Sequence, residues 1–366
     1  MSRAGRRIAG LAAGAAGVAA AGAAADVVRR RREIGRRGVD DTPFGSLRSR
    51  PTNVIASDGV PLHVEVDELE PGETAPTTSR RGRRKAVETL PLTVVFVHGF
   101  ALNLDCWHFQ RAAYRGLVRT VLYDQRSHGR SGHSSGQHST IDQLGEDLLA
   151  VLEAVASDGP VVLVGHSMGG MSIIALAEQH PELFGERVVG VGLISTTAGG
   201  LEPSRILLPM VPAKLTGSVT HRAVRTLARR HRAVDGLRRA GRAVAQVVTD
   251  QFAFGDEVPS AYVDFVDDML SATPFEVVAD FFPGFGSLDK FHAVEAMSRV
   301  PTTVICGTDD KITSIGHSRK LHDRIAGSTL LECEGAGHMV ILERHDQVNA
   351  ALDQLVSAAA ARVGAR

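Results

Sequence analysis

Short apolar runs rich in β-branched residues alternate with longer segments whose apolar positions recur every three to four residues. The runs are Thr93–Val97, Thr120–Asp124, Val161–Val164, Val188–Ile194, Thr302–Cys306 and Thr329–Glu332. Near-continuous apolarity over four to seven residues predicts strands buried on both faces, as in a parallel sheet. Ile141–Val155 is amphipathic at helical spacing, Met171–Ala177 can continue as a helix, and a helix from Ser314 and a closing one to about Val363 follow. Thr52–Ala56 and Pro61–Val66 flank a Ser57-Asp58-Gly59 turn, and Leu62, Val64 and Val66 alternate with His63, Glu65 and Asp67. That alternation predicts a hairpin at the sheet edge. Strands interleaved with helices define an α/β fold with a mostly parallel, doubly wound sheet.

The alternation stops near Ser195 and resumes at Thr302. The hundred or so residues between look helical, and the expected arrangement is an inserted helical cap over the carboxyl edge of the sheet. The division this implies is an Ala/Gly/Arg-rich segment over 1–40, a core in two parts over 51–195 and 301–363, and a cap over 196–300. Charge is segregated in the cap: nine basic residues from Lys214 to Arg242 face a single Asp235, whereas 250–280 holds eight acids and no Lys or Arg. Either two cap helices face each other or solvent, or the basic face rests on anionic lipid.

Composition narrows this picture little. Of 366 residues 43 % are hydrophobic and 22 % charged, and Lys plus Arg (41) equal Asp plus Glu (41). No global field argues for nucleic acid. The local basic cluster Arg80–Lys85 has no interleaved aromatics and belongs to a Pro/Gly/Ser/Thr-rich loop. Cys106, Cys306 and Cys333 form no C-x-x-C and no zinc-type spacing. They imply neither metal nor disulfide framework, in keeping with a reducing compartment.

The amino-terminal residues differ from the rest. Ile8–Ala25 is eighteen residues without a charge, bracketed by Arg3, Arg6, Arg7 and by Arg29–Arg32. As a helix it would span about 27 Å, near the hydrocarbon thickness of a bilayer. It is mostly Ala and Gly, which contribute little to insertion. Three readings compete: a weak membrane anchor, a cleaved export signal and an alanine-rich cytosolic tail. Arginines on both sides argue against a cleaved signal and suit an anionic cytoplasmic leaflet, so a cytoplasmic or cytoplasmic-membrane location is expected.

Chemistry concentrates where strands end. Gly165-His166-Ser167-Met168-Gly169-Gly170 follows an apolar strand and opens a helix. Serine on such a turn occupies a strained conformation that only small neighbours permit, with a helix amino terminus behind it. A serine hydroxyl needs a general base and a third group to orient that base. Asp310 in Gly307-Thr308-Asp309-Asp310 and His338 in Gly335-Ala336-Gly337-His338 follow the last two strands, and in a parallel sheet such loops share one edge. His98 and His166 suit structural hydrogen-bonding roles. His128, His133 and His138 lie in a polar loop, where solvation is the expectation.

Together, H-G-F at His98, D-Q-R-S-H-G-R-S at Asp124–Ser131, G-H-S-M-G-G at Gly165, G-T-D-D at Gly307 and G-A-G-H at Gly335 make the chain from about Pro51 to Val363 resemble the α/β-hydrolase fold family. The similarity is greatest to its capped branch of esterases, lipases, cofactor-free haloperoxidase-like enzymes and carbon–carbon bond hydrolases. It implies Ser167 as nucleophile, His338 as base and then acid, and Asp310 as the orienting carboxylate, with Asp309 the rival. It further implies oxyanion donors at the backbone N–H groups of Phe100 and Met168, and no cofactor or metal. Serine at position 167, where epoxide hydrolases and haloalkane dehalogenases carry aspartate, argues against alkyl-enzyme chemistry. The expected activity is hydrolysis of a carboxylic ester or thioester, with a lipophilic acyl group suggested by Ile206–Pro212 and Phe281–Phe285. Perhydrolysis, carbon–carbon bond hydrolysis and a non-catalytic ligand-binding role are the alternatives.

Overall fold

In the computed structural model, residues 25–38, 40–69, 92–134, 136–202 and 241–364 are described. The stretch 8–24, the basic cluster 80–85, the segment 206–212 and most of the basic cap run lie outside them.

Eight strands form one sheet: β1 (Pro51–Ile55), β2 (Pro61–Asp67), β3 (Thr93–Val97), β4 (Arg119–Tyr123), β5 (Val161–His166), β6 (Val188–Ile194), β7 (Thr302–Gly307) and β8 (Thr329–Cys333). Their order is β1-β2-β4-β3-β5-β6-β7-β8. β1 and β2 pair antiparallel, β2 runs antiparallel to β4, and every other neighbour is parallel. Each of the apolar runs became a strand, and β5, β6 and β7 are buried at every position. Successive side chains serve opposite faces. Val94 and Phe96 join a core with Leu352, Leu355 and Val356 of the closing helix, while Val95 and Val97 pack with Leu148, Val151, Ile173 and Ile174.

The helices are α1 (residues 25–34), α2 (His108–Tyr114), α3 (Ile141–Val155), α4 (Met168–Gln179), α5 (Arg242–Ala253), α6 (Ser260–Ala272), α7 (Phe275–Ser287), α8 (Ile315–Arg324), α9 (Val340–Glu343) and α10 (His345–Gly364). α5 to α7 stand between β6 and β7 in sequence, where the insertion was expected. Val277, Phe281 and Phe285 of α7 pack with Met168 and Met171 of α4 and Ile141 and Leu144 of α3, with Phe100 against them. Among the described residues no helix is long and apolar enough to cross a membrane.

Packing reaches back beyond Pro51. Ile34 is buried, Arg37 pairs with Asp250 of α5, and the Phe44 ring stacks 4.5 Å from Phe265 of α6. Ile34 and Phe44 lie in an arginine-rich stretch, so only partners far along the chain, such as Phe109 and Phe265 for Phe44, give them a buried side.

Two buried arginines are each met by two carboxylates. Arg126 meets Asp147 at 2.6 Å and Asp58 at 2.8 Å, fixing the loop after β4 against α3 and the β1–β2 turn. Arg111 of α2 meets Glu65 at 2.8 Å and Asp67 at 2.7 Å, locking α2 to β2. Burial pushes the Glu65 carboxyl up, but hydrogen bonds from His63, the Ser49 N–H and Arg111, with the Arg111 charge, outweigh it and hold the pKa near 2.

That depression carries a sign. Between about 2 and the ordinary 4.5 the unfolded chain binds the extra proton, so the stabilisation is complete above about pH 4.5 and drains as pH falls to about 2. Urea unfolding should show wild type more stable than Glu65→Gln by on the order of 3 kcal/mol at pH 7, with the gap narrowing through that acid window.

Candidate active site

The chain reverses its direction of travel across the sheet at β3, so the loops after β3 and β5 diverge from a crevice at the carboxyl edge. Ser167 sits in it, between β5 and α4, with φ 52° and ψ −118°. A non-glycine residue at positive φ is strained by about 1–3 kcal/mol. The surroundings hold it: Ser167 N–H donates to Ile194 O at 2.9 Å, and its carbonyl accepts from Thr196 Oγ1 at 2.6 Å and Gly170 N–H at 3.0 Å. At Gly169 a Cβ would lie 2.0 Å from the Val97 carbonyl oxygen, so only glycine lets the first turn of α4 rest on the end of β3.

His338 and Asp310 arrive from the far side. His338 Nδ1 lies 2.9 Å from Asp310 Oδ2. The same carboxylate accepts the Ile312 and Thr313 N–H groups at 2.8 and 2.9 Å and the Thr313 hydroxyl at 2.9 Å. Burial raises its pKa, but the charge and hydrogen bond of His338 and the two backbone donors outweigh burial and leave it below the ordinary carboxylate value. Asp309 is exposed and turned to Thr308 instead. Ser167 connects to the histidine segment through its neighbour: His166 Nε2 donates to the His338 carbonyl at 2.9 Å, with the two rings 4.9 Å apart. Among the described residues Ser167 Oγ has no hydrogen-bond partner.

The loop after β3 lies against the elbow, since a Cβ on Gly99 would be 3.2 Å from Ser167 Cβ. Among the described residues neither the Phe100 N–H nor the Met168 N–H has an acceptor, and the Met168 N–H opens α4. Two unpaired donors beside a serine can receive an oxyanion.

His98 and His166 are wholly buried and structural in their contacts. His98 Nδ1 donates to Gly99 O at 2.7 Å and Nε2 accepts the Gln125 N–H at 2.9 Å, with burial lowering its pKa to about 4. One expectation fails: His128 is 1 % exposed rather than solvated, because α7 brings Phe281 over its loop. His133 and His138 are exposed.

The sequence patterns missed several supports. Gln125 donates to His98 O at 2.6 Å and accepts from Ser172 Oγ at 2.7 Å, tying the β3 and β4 loops to α4. Glu343 accepts N–H groups from Gly255, Asp256 and Gly337, joining the cap to the His338 loop. Thr196 and Thr313 grip Ser167 and Asp310. Each is a common residue in an ordinary local context, and only its partner marks it. The three cysteines are buried and unpaired, and no group of three His, Cys, Asp or Glu among the described residues could hold a metal ion.

A family model described as the alpha/beta hydrolase family matches residues 94–351. A monoacylglycerol lipase of Mycolicibacterium smegmatis is 26% identical over 238 residues, 64% of this chain and 75% of the relative. A 3-oxoadipate enol-lactonase of Acinetobacter baylyi is 25% identical over 266 residues, 72% of this chain and 88% of the relative. Among solved structures, a thermophilic esterase from Thermogutta terrifontis superposes with a TM-score of 0.63 at 20% identity, covering 85% of this chain and 99% of that one.

The elbow contact is testable. Gly169→Ala must push α4 off the Val97 carbonyl, and thermal or urea unfolding should register a loss of at least ~3 kcal/mol.

Proposed function

The chain belongs to the alpha/beta hydrolase family, and we propose that it is a serine hydrolase cleaving carboxylic esters or thioesters of a lipophilic acyl group. The supporting observation is the His338–Asp310 hydrogen bond at the sheet edge that also carries Ser167 on its elbow. The relatives named as a lipase and an enol-lactonase act on ester-type bonds by those names, in accord with this reading.

In the proposed cycle Ser167 Oγ attacks the substrate carbonyl carbon while its proton passes to His338 Nε2. Asp310, ionised and held by four N–H and O–H donors and the Cys306 thiol, keeps the other ring nitrogen protonated and steadies the imidazolium. The negative oxygen of the tetrahedral intermediate takes hydrogen bonds from the Phe100 and Met168 N–H groups, each worth roughly 3 kcal/mol of barrier. Collapse breaks the ester bond, and the leaving alcohol or thiol takes the proton from His338. Water then attacks the acyl-serine, giving its proton to His338, and collapse breaks the acyl–Oγ bond as His338 passes that proton to Ser167 Oγ and the acid leaves. The acyl chain runs along Phe100, Met168, Met171, Phe281 and Phe285, the apolar wall between α4 and the cap. The division into a core over 51–195 and 301–363 and a cap over 196–300 follows the same reading, with the cap as acyl-chain cover.

A p-nitrophenyl ester series from acetate to palmitate checks this. Turnover should favour medium or long chains, and Ser167→Ala should lower kcat at least ~10⁴-fold. Equal background from wild type and variant across the series would refute acyl-serine ester hydrolysis.

We further propose that residues 1–24 with the arginines of α1 rest on an anionic membrane surface. Sedimentation with phosphatidylglycerol vesicles should retain the full chain and release one lacking residues 1–24. That truncation keeps α1, whose Ile34 is part of the core. Equal sedimentation of both would discard the membrane role.

A further inference from the structure

His128 takes no part in the cycle above, yet it is buried beside it. Its Nδ1 lies 2.8 Å from the Arg126 carbonyl oxygen. A carbonyl oxygen only accepts, so Nδ1 carries the proton and the neutral ring keeps a lone pair on Nε2. Burial, reinforced by neighbouring His98, pushes the pKa down to about 3, so the ring stays in that form at neutral pH. Among the described residues Nε2 is buried and has no hydrogen-bond partner. A desolvated acceptor without a donor is costly, and among the described residues the surrounding side chains supply none. The neighbouring rings are Phe100 and Phe281, both at 5.6 Å, and His98 at 5.5 Å, whose two nitrogens are already engaged.

The position of this acceptor gives it meaning. Phe100 contributes its N–H to the proposed oxyanion site, and its ring meets Phe281 at 6.1 Å and Phe285 at 5.1 Å along the apolar wall. His128 therefore presents a buried, unpartnered polar atom beside these rings. Resting on the ester-hydrolase reading, we propose that His128 Nε2 accepts a hydrogen bond from a hydroxyl group on the acyl chain, so that the preferred substrates are esters of hydroxy acids. A hydroxyl fits better than an ammonium donor, because a neutral imidazole among phenylalanines offers a cation no counter-charge. Discrimination follows from the same physics: an acyl chain lacking the hydroxyl leaves Nε2 unpaired, whereas one carrying it satisfies both groups.

The test compares ethyl hexanoate with ethyl 2-hydroxyhexanoate and ethyl 3-hydroxyhexanoate on the full chain. Wild type should show kcat/KM at least ~10-fold higher for one hydroxy ester than for the parent. His128→Asn keeps a donor for the Arg126 carbonyl but removes the Nε2 acceptor, and His128→Phe removes both. In each the ratio should fall to about one. His128→Gln, which can carry an amide oxygen to the Nε2 position, should retain part of the preference. The ratio is internal to each variant, so a smaller folded fraction does not change it. A ratio near one in wild type for both isomers would overturn the proposal and assign Nε2 to a buried water. A preference that survives in both His128→Asn and His128→Phe would overturn it as well. Turnover of ethyl hexanoate without preference removes the hydroxyl inference alone, whereas no turnover of any ester removes the hydrolase reading with it.

Discussion

The backbone contact between the end of β3 and the first turn of α4 is the constraint on which the site depends. With Gly169 seated on the Val97 carbonyl, α4 starts one residue after β5 ends, and Ser167 takes up the positive φ of the turn. The same closeness brings Gly99 against Ser167, so the Phe100 and Met168 N–H groups flank one serine. A serine and two unpaired backbone N–H groups are thus positioned by backbone, which needs no side-chain ordering.

The other loops at this edge are fastened to that unit by buried polar links. Gln125 couples the β4 loop to His98 and Ser172, and Arg126 anchors the same loop to Asp58 and Asp147. His166 reaches from the elbow to the His338 carbonyl, and Glu343 gathers N–H groups from the cap and the histidine loop. Three loops from separate strands behave as one assembly because each contributes a donor or acceptor that only another can satisfy.

The cap supplies the apolar side. Phe281 and Phe285 cover the surface of α4 near Ser167, and α6 anchors the cap through Tyr262 and Phe265 against Phe44 and Phe109. On the proposed reading, a centre walled by phenylalanine and methionine excludes water and strengthens every hydrogen bond made inside it, and a neutral buried acceptor such as His128 Nε2 depends on what the substrate brings.

Sequence alone determined the strands, their alternation with helices and the place of the inserted segment, because those follow from local runs of β-branched and periodic apolar residues. It also placed Ser167, Asp310 and His338 at strand ends, and a parallel sheet carries all such ends to one edge. Asp309 and Asp310 are adjacent in sequence, and only the fold separates them: Asp310 is buried beside His338 and Asp309 faces solvent. Burial of His128, the docking of Ile34 and Phe44, and the roles of Gln125, Thr196, Thr313 and Glu343 were decided only by tertiary structure. Thr313 reaches Asp310 within its own loop; for the others the partner lies on another element, and a residue's neighbours in sequence carry no trace of a contact made across the fold.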